Sequence, residues 1–469
     1  MARILLVKPR FLTADQQAMV PPMGLLYLGA VLRQEGHAVR LFDAARDTMP
    51  ACPRYREVLA SFRPDIVGFG AITFEAGALA TMVRATRQSV PDARIVVGGP
   101  HPSAYPHRCA DLPGVDGVVI GEGERTLPEL LRAWDAGRDG RDVPGTAWRD
   151  GSQGMVLAPP RDPIGDLDAL PLPAWDLLDL DLYRHRPSMA NVGFRRYLPI
   201  VTSRGCPFRC SYCHQVHGKV FRARSAASVL AEMDEAWQRF RIRDFEVVDD
   251  VFNLDRDRAA AILEEVASRG RGIRLQFPNG LRTDLLDADL VRLLARAGTQ
   301  YLAIAVESAS PRLQRLVRKN LDLDKVRQNA GLLADAGMYV TGYFMLGFPT
   351  ETLEEARATV DFALASPVHQ AQFFRVTPFE GTALYEASLD VMHSRGIHAG
   401  PQQLEYFNGR CNVSAMTDRQ LFLLQREAYR QFYGSPRRLA RILGRHPRRR
   451  HLFFYGFLAL RRMILAAGA

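Results

Sequence analysis

Three cysteines lie close together near the middle of the chain. Cys206, Cys210 and Cys213 have the spacing C-x3-C-x2-C within the segment Arg204–His214, so one loop can bring three thiolates to a single inorganic cluster. Clusters that only transfer electrons ordinarily take four cysteine ligands. The triplet therefore predicts a [4Fe-4S] cluster in which one iron stays open to a further ligand, and an open iron is a site for chemistry.

Zinc is the main alternative for the same residues. Structural zinc sites normally have four ligands, often arranged as two pairs, and His214 could supply the fourth. Two ligands on adjacent residues of one backbone suit tetrahedral coordination poorly. The spacing therefore favours an iron–sulfur cluster over zinc and over three incidental cysteines.

The triplet resembles the cluster loop of the radical S-adenosylmethionine (SAM) superfamily. The resemblance implies that SAM binds the open iron through its amino and carboxylate groups, and that reduction cleaves it to methionine and a 5'-deoxyadenosyl radical. Tyr212, the aromatic residue before the third cysteine, also fits this superfamily, where such a residue lies beside the adenine. We therefore expect Cys206, Cys210 and Cys213 to be the metal ligands and the catalytic centre, with Tyr212 as a cofactor contact.

Length and composition place these residues in a large globular protein. A chain of 469 residues predicts two or three domains, and 47% hydrophobic with 24% charged residues is typical of globular proteins. Six cysteines, three of them clustered, do not suit a disulfide framework, which indicates a reducing compartment. The N-terminal segment has no signal-peptide pattern and no apolar run has the length of a membrane span. We expect a cytoplasmic protein.

The formal net charge of +10 comes from one end of the chain. Ten arginines lie between Arg430 and Arg462, and no acidic residue follows Glu427, so the rest of the chain is close to neutral. The chain has only four lysines, and this bias towards arginine is more typical of coding composition than of a phosphate-binding surface. We therefore do not expect nucleic acid as a partner.

The first 150 residues alternate short apolar runs with amphipathic segments. Five of the runs are nearly continuous and rich in β-branched residues, which is typical of parallel strands covered on both faces. The alternation predicts a doubly wound, Rossmann-like α/β sheet with its ligand at the carboxyl ends of the strands. The predicted strands are residues 4–7, 39–42, 66–72, 95–97 and 115–120, and the predicted helices include residues 24–34, 76–88 and 125–136.

Glycines cluster at these predicted strand ends. None forms G-x-G-x-x-G directly after the first strand, so a nicotinamide dinucleotide is disfavoured. The segments Pro21–Gly29, Gly98–Pro102 and Gly121–Glu124 resemble instead the cobalamin-binding domain that precedes the barrel in one large class of radical SAM enzymes, where glycines let the backbone approach the corrin. This resemblance gives as candidate cobalamin contacts Met23, Gly24, Phe69, Thr73, Phe74, Gly98, Gly99, His101, Gly121, Glu122 and Gly123.

One motif of methionine-synthase-type cobalamin domains is missing. Their Asp-x-His-x-x-Gly supplies a histidine to cobalt, whereas Lys8-Pro-Arg-Phe-Leu follows the first predicted strand here. Radical SAM members of the class generally lack this histidine too, so the resemblance implies cobalamin held without it. Phe74 and His101 each have an ordinary alternative, as a core aromatic and as a turn histidine.

A second βα series begins after a proline- and acid-rich stretch. The predicted domains are a cobalamin-binding-like domain at 1–150, a linker at 151–196, a partial (β/α)6 radical SAM barrel at 197–385 and a C-terminal helical region at 386–469. As in complete barrels, we expect the chemistry at the carboxyl ends of the strands. The predicted strands are residues 199–202, 245–248, 274–277, 301–306, 339–346 and 372–376, and the helices are 226–240, 256–268, 287–297, 323–336 and 352–365.

Polar residues follow several of these strands. Asp250 follows the second, Arg282 follows the third, and Glu307 and Ser308 end the fourth. Comparable positions in the superfamily contact SAM, and a carboxylate can pair with its ammonium group or accept from vicinal hydroxyls. The ordinary alternative is a helix N-cap.

Two features near the C-terminus have two interpretations each. Cys411 is either a hydrogen donor in a radical reaction or a small buried hydrophobic residue, and the second is the commoner case. The aromatic stretch 452–460 between arginine clusters predicts either an interfacial helix on a membrane surface or a helix that closes the active site. We favour the internal role.

The combined resemblance implies a cobalamin-dependent radical SAM enzyme, most often a C-methyltransferase acting on an unactivated carbon of a small-molecule or natural-product substrate. It implies a [4Fe-4S] cluster, SAM and cobalamin as cofactors, and an external electron donor such as flavodoxin or ferredoxin. Oxidative cyclisation, rearrangement or dehydration through the 5'-deoxyadenosyl radical, with a vestigial cobalamin domain, is one alternative. A non-catalytic cluster or cobalamin carrier is another, against which the strand-end acids argue.

Overall fold

The computed structural model has two compact units. The first comprises Met1–His185 with Val216–Gly218, and the second comprises Arg186–Gln215 with Lys219–Ala469. None of the helices within the described part of the chain combines the length and the apolar content that a membrane crossing requires. The structure describes residues 1–10, 20–44, 53–151, 154–214, 216–397, 411–454 and 456.

The first unit is built on one mainly parallel sheet. Its strands are β1 (Arg3–Lys8), β2 (Ala38–Asp43), β3 (Ile66–Gly70), β4 (Arg94–Gly98), β5 (Gly117–Val119), β6 (Thr146–Asp150) and β7 (Gly154–Leu157). Its helices are α1 (Met23–Gln34), α2 (Pro53–Phe62), α3 (Ala76–Ser89), α4 (Pro100–Ala104), α5 (Pro106–Ala110) and α6 (Gly123–Asp135). The strand order is β2-β1-β3-β4-β5-β6-β7. Strands β1 to β5 pair in parallel, which confirms the predicted doubly wound α/β fold.

Both faces of this sheet are buried. Along β1, Leu5 and Val7 belong to one hydrophobic core and Ile4 and Leu6 to the core on the opposite face. All four side chains are fully buried, because successive residues of a strand point to opposite faces and helices cover both. The near-continuous apolar runs in the sequence therefore arise from burial on two sides.

The strand order of the first unit reverses between β1 and β3. Doubly wound sheets bind their ligands in the crevice outside the carboxyl ends of the strands at such a switch point. The loops that follow β1 and β3 are therefore the expected walls of a ligand site.

A hairpin at the edge of this sheet was not predicted from the sequence. Strands β6 and β7 pair antiparallel with each other, and β6 pairs antiparallel with β5. The two strands are short and flank the turn-forming run from Asp150 to Gly154, so the stretch has the composition of a loop. The sheet consequently continues to Leu157, within the stretch 151–196 that was predicted as a linker.

The second unit contains a six-stranded parallel sheet. Its strands are β8 (Leu198–Ile200), β11 (Asp244–Val247), β12 (Arg274–Leu281), β13 (Thr299–Glu307), β14 (Tyr339–Leu346) and β15 (Gln370–Arg375), with a separate ribbon of β9 (Ser203–Arg204) and β10 (Arg222–Ala223). Its helices are α7 (Ala226–Phe240), α8 (Arg256–Ser268), α9 (Ala288–Arg296), α10 (Pro311–Leu316), α11 (Leu323–Asp335), α12 (Leu353–Ala365), α13 (Ala383–Glu386), α14 (Leu389–Ser394), α15 (Asp418–Gly434) and α16 (Pro436–Arg445). The spatial order follows the chain from β8 to β15 without reversal, as in an opened (β/α) barrel.

Side-chain caps fix where the helices of the second unit begin. A serine, threonine or aspartate precedes most of them, including five of the longer helices, and accepts a hydrogen bond from the backbone N–H of the third helical residue. The capping residues of these five are Ser225 before α7, Asp255 before α8, Asp287 before α9, Asp322 before α11 and Thr352 before α12. The observed bounds of α7 and α8 equal the predicted ones.

The edge strand β15 is covered by side chains of α15. The Tyr433 hydroxyl accepts from the Ala371 N–H at 3.2 Å and donates to the Ala371 carbonyl at 2.8 Å. One turn earlier, the Tyr429 hydroxyl accepts from the Phe373 N–H at 3.1 Å. An exposed strand edge is a template for pairing with other chains, and these hydroxyl groups satisfy it within the chain.

Replacement of Tyr433 by Phe should destabilise the second unit. The substitution leaves both backbone groups of Ala371 without their partner, so we expect the free energy of unfolding to fall by about 1–3 kcal/mol. Denaturant unfolding measures the change, with Gln431→Ala as the control, because the exposed Gln431 bonds Glu427 within the same helix. Equal stability of the two variants would contradict the edge-capping role.

Candidate active site

The cysteine loop is closed at its base by the ribbon of β9 and β10. Arg204 pairs with Arg222, and Ser203 pairs with Ala223, so the intervening residues emerge as one loop beyond the carboxyl end of β8. Gly205 begins this loop with φ +86°, a conformation that glycine adopts without penalty. Its N–H donates to the Asp250 carboxylate at 3.1 Å.

Neighbouring elements hold the middle of the loop. The Ser211 N–H donates to the Val317 carbonyl at 2.9 Å, and the Ser211 carbonyl accepts from the Leu384 N–H at 2.8 Å. The Lys219 ammonium group donates to the Phe208 carbonyl at 2.5 Å. The loop therefore has a fixed backbone before any cofactor binds.

Burial and neighbouring thiols raise the pKa of two cysteines of the loop, Cys206 and Cys213. Burial, followed by the proximity of Cys210 and Cys206, raises the pKa of Cys213 to about 11. Burial also raises the pKa of Cys206, with Asp250 and Cys210 adding to the effect. Thiols grouped in this way ionise readily only when a cation offsets the negative charge of the thiolates. The iron of an iron–sulfur cluster is such a cation. The chemistry of this donor set thus fits the predicted cluster.

A single metal ion has no comparable site in the described part of the chain. No group of three or more histidine, cysteine, aspartate or glutamate side chains there is arranged to hold one. The assignment of Cys206, Cys210 and Cys213 as cluster ligands stays a prediction that depends on their spacing and on the grouping of the thiols.

The two aspartates after β11 lie in different environments. Asp249 is buried, and it accepts from the Thr202 N–H at 2.6 Å and from the Ser203 hydroxyl at 2.7 Å. Burial raises the pKa of this carboxyl. Asp250 is exposed and contacts Gly205 at the start of the cysteine loop. Asp249 therefore holds the backbone, and Asp250 is the acid that remains accessible beside the loop.

Arg282 lies after β12, where its guanidinium group is already engaged. It pairs with Asp284 through two hydrogen bonds, at 2.7 and 3.1 Å, and donates to the Lys319 carbonyl at 3.1 Å. Its guanidinium carbon lies 4.0 Å from the centre of the Phe208 ring in the cysteine loop. The structure thus connects Arg282 to the loop, and a contact with SAM stays a prediction.

Glu307 and Tyr212, both predicted from the sequence, meet at the end of β13. The Tyr212 hydroxyl donates to Glu307 Oε1 at 3.2 Å, and the Lys319 ammonium group donates to the same oxygen at 3.0 Å. The adjacent Ser308 is directed elsewhere. Its buried hydroxyl accepts from the Ser310 N–H at 3.1 Å, so it supports the turn into α10.

A buried glutamate supports the Gly-Phe-Pro turn after β14. Glu351 Oε2 accepts from the N–H of Gly347 and, at 3.0 Å, from the N–H of Phe348. Burial raises the pKa of this carboxyl to about 7. The Phe348 ring lies 6.1 Å from the ring of Tyr212, so the turn and the cysteine loop share one aromatic contact.

In the first unit, a glycine pair and a histidine follow β4. Gly99 has φ +97°, and a Cβ built there would lie 3.1 Å from the backbone of Ala71, so this loop requires glycine. The next helix begins with His101 buried and its N–H bonded to the Ala71 carbonyl at 3.0 Å. Burial lowers the pKa of His101 to about 4, which keeps the imidazole neutral. Nδ1 of His101 is buried and has no hydrogen-bond partner among the described residues.

The remaining candidate contacts lie beside α1, α6 and β3. Met23 is half-buried and Gly24 exposed at the start of α1. Gly121 has φ +76° and donates its N–H to Ser103 at 2.8 Å. Glu122 accepts from the Ile164 N–H at 2.6 Å, and Gly123 begins α6.

Phe69 differs from the other predicted contacts. Its ring lies in the hydrophobic core of the first unit and is 2% exposed, whereas Thr73 and Phe74 are half-buried in a short 3-10 turn after β3. Little surface of Phe69 is thus left for a ligand. The roles of all these residues towards cobalamin stay predictions.

Two further residues of interest were missed by the sequence analysis. Glu75 is buried in the short 3-10 turn after β3, and its carboxylate accepts from the Ile72 N–H at 3.0 Å. Its pKa is raised to about 7 by burial, against the opposing charge of Lys8. Lys319 contacts Glu307, which lies twelve positions earlier in the chain. The available signal was the rarity of lysine, since Lys8, Lys219 and Lys319 are three of only four lysines in a chain with 57 arginines.

Comparison with known proteins matches the two units to different families. Residues 9–131 match the B12 binding domain. Residues 200–363 match the radical SAM superfamily. These ranges contain the glycine-rich strand ends of the first unit and the cysteine loop with Glu307 in the second.

Individual relatives extend over most of the chain. An uncharacterized methyltransferase of Pyrococcus horikoshii is 28% identical over 450 residues, which cover 95% of each chain. The anaerobic magnesium-protoporphyrin IX monomethyl ester cyclase of Rubrivivax gelatinosus is 28% identical over 392 residues, covering 82% of this chain and 69% of the relative. The solved structure of the radical SAM methyltransferase TsrM from Kitasatospora setae, with cobalamin and a [4Fe-4S] cluster bound, has a TM-score of 0.67 and 25% identity over 83% of this chain and 78% of its own.

Combined replacement of Cys206, Cys210 and Cys213 by Ala should abolish cluster binding. The variant lacks all three thiolates that would ligate iron, so we expect reconstituted protein to lose its bound iron and its broad visible absorbance. Cys411→Ala is the matched control, because Cys411 lies outside the spaced triplet and burial raises the pKa of its thiol to about 11. Retention of a full cluster by the triple variant would show that its ligands lie elsewhere.

Glu351 should make stability depend on pH. Because its pKa is raised to about 7 from an ordinary value of 4.5, the folded state favours the protonated carboxyl. This contribution is fully present below pH 4.5 and is lost as the pH rises to 7, a change on the order of 3 kcal/mol. We expect Glu351→Gln, measured by thermal unfolding between pH 5 and 8, to remove this part of the pH dependence.

Glu355 provides the contrasting control. Its pKa is lowered to about 2, chiefly by the hydrogen bond from Arg312, so its contribution is lost as the pH falls. Glu355→Gln should therefore lower stability at neutral pH, where Glu351→Gln raises it. The same sign of change in both variants would contradict the assignment.

Proposed function

We propose that this chain, a radical SAM enzyme with an N-terminal B12 binding domain, is a methyltransferase that acts on an unactivated carbon of a small molecule. The observation that carries the proposal is the similarity to a methyltransferase over 95% of both chains, which includes both domains. The solved structure of the methyltransferase TsrM holds cobalamin and a [4Fe-4S] cluster. The cofactors of this chain are accordingly a [4Fe-4S] cluster, SAM and cobalamin.

The second unit would hold the cluster and SAM. When bound, these cofactors supply a 5'-deoxyadenosyl radical, and cobalamin supplies a methyl group. The chain's own residues would position these cofactors. Cys206, Cys210 and Cys213 would ligate iron. Glu307 would accept from the ribose of SAM, and Asp250 would face its ammonium group. Tyr212 orients Glu307 through its hydroxyl.

The first unit would hold cobalamin against its strand ends. Gly99 lets the loop after β4 pack against the backbone of Ala71, which would fix the shape of this wall of the site. The neutral imidazole of His101 offers its unpartnered Nδ1 to a polar group of the corrin periphery. Met23 and Phe74 would bury part of the corrin's apolar faces.

The proposed cellular compartment, electron donor and domain boundaries are those predicted from the sequence. We propose a cytoplasmic enzyme reduced by an external donor such as flavodoxin or ferredoxin, which is consistent with the free thiols of Cys109, Cys206, Cys210, Cys213 and Cys411 among the described residues. We propose the predicted division into a cobalamin domain at 1–150, a linker at 151–196, a barrel at 197–385 and a C-terminal helical region at 386–469, with strand β7 of the first sheet lying inside the linker range. The proposed closing or interfacial role of residues 452–460 falls mostly outside the described residues.

Oxidative ring formation is the second candidate function. The cyclase of Rubrivivax gelatinosus is as similar in identity as the methyltransferase, although over less of its length. A cyclase of this kind would use the radical without transferring a methyl group. The carrier hypothesis has no comparable support, because both of these relatives are enzymes by name.

Products of SAM distinguish the two candidates. With the cluster and cobalamin reconstituted and reduced, and no other small molecule present, we expect about one S-adenosylhomocysteine released per bound cobalamin, because a methyltransferase must reload its methyl group from SAM. Mass spectrometry with SAM labelled in its adenosyl part measures S-adenosylhomocysteine and 5'-deoxyadenosine, and a label in the methyl group of SAM should appear on cobalamin instead. Release of 5'-deoxyadenosine without any S-adenosylhomocysteine would favour the cyclase and contradict methyl transfer.

A further inference from the structure

Lys319 is buried against the carboxylate of Glu307. The ammonium nitrogen lies 3.0 Å from Glu307 Oε1, and the two side chains are 10% and 9% exposed. The Tyr212 hydroxyl bonds the same oxygen at 3.2 Å. A buried carboxylate needs such partners, because its charge is costly away from water.

The other oxygen of this carboxylate is available. Glu307 Oε2 makes no hydrogen bond with any residue in the described part of the chain, although the residue as a whole is 7% exposed. Because two hydrogen bonds hold Oε1, Oε2 is the oxygen left to accept from a ligand. Lys319 and Tyr212 therefore leave one face of Glu307 for that ligand.

The backbone around both residues is unusual. Glu307 has φ +65°, and the residues on either side of Lys319, Arg318 and Asn320, have φ +56° and +51°. Left-handed conformations are unfavourable for residues with a Cβ and concentrate at functional sites. The chain adopts three of them where it brings this lysine and this glutamate together.

A buried glutamine ties the two backbone segments to each other. The Gln314 side-chain amide donates to the carbonyls of Val306 at 2.9 Å and of Ser308 at 2.6 Å, on either side of Glu307. The Gln314 backbone carbonyl accepts from the Lys319 N–H at 3.0 Å. The hydrogen bonds of Gln314 therefore fix the distance between the backbone segments of Lys319 and Glu307.

We propose that Lys319 is a positioning residue for SAM, which acts by holding Glu307 so that Oε2 accepts from the ribose hydroxyls. The inference rests on the proposed function, and it adds a residue that acts through Glu307. A lysine suits the task because its ammonium group is a compact charge that can bond one carboxylate oxygen without covering the other, whereas the planar guanidinium of arginine pairs with both.

The test is equilibrium binding to the full-length protein with its cluster reconstituted. We expect Lys319→Met to weaken binding of SAM and of 5'-methylthioadenosine alike, by about tenfold, the range of one charge-assisted hydrogen bond. Binding of the 2',3'-dideoxy form of methylthioadenosine should not change, since it lacks the hydroxyls that Glu307 would bind. Lys325→Met, at an exposed lysine of α11, is the matched control and should bind all three ligands like the wild type.

Two further variants separate positioning from general structure. Lys319→Arg should not restore the SAM affinity, because a guanidinium that pairs with both carboxylate oxygens covers Oε2, and Lys319→Met combined with Glu307→Gln should bind SAM no more weakly than Glu307→Gln alone. Additive losses in the double variant, or an unchanged affinity of Lys319→Met, would overturn the proposal. So would a loss for SAM but not for methylthioadenosine, because Lys319 would then contact the amino-acid part directly. Absence of SAM binding by the wild type would overturn the proposed function as well, and iron content shows whether each variant has kept its cluster.

Discussion

Parallel pairing requires every strand of a sheet to end at the same edge, and both units depend on this constraint. The carboxyl ends of β3, β4 and β5 bring together loops that are separate in sequence, and those of β8, β11, β12 and β13 do the same in the second unit. At the opposite ends of the strands lie only the loops that lead from each helix into the next strand. Residues at the carboxyl edge are therefore free to serve binding, since the sheets are stabilised by their two buried faces.

Buried charge at this edge is always accompanied by its own partners. Asp249 has the hydroxyl and amide groups of Thr202 and Ser203, and Glu351 has two backbone N–H groups. Glu307 has a cation and a phenol. In each case, removal of one partner would lower the free energy of unfolding by more than the intact pair contributes to it, because the remaining group stays desolvated. The geometry of the edge is thus fixed by electrostatic necessity as well as by chain connectivity.

Local patterns in the sequence predicted most of the elements but few of their contacts. Apolar runs and capping residues are local signals, and for that reason α7 and α8 were predicted with the observed bounds. The β6–β7 hairpin was missed because its short strands carry no such signal. The cysteine spacing predicts a cluster loop by itself, whereas the bond from Tyr212 to Glu307 joins residues 95 positions apart. That contact, like the Lys319 contact, depends on turns with positive φ that periodicity does not reveal.

The distribution of lysine has a practical consequence for chemical footprinting. Reagents that acylate primary amines ignore guanidinium groups, so the 57 arginines of this chain would be silent and its four lysines would be almost the entire signal. Lys325 is exposed, whereas Lys8, Lys219 and Lys319 are partly shielded beside the carboxyl edges. One peptide map, with Lys325 as an internal standard, would therefore report the occupancy of both units separately, from the protection of Lys8 in one and of Lys219 and Lys319 in the other.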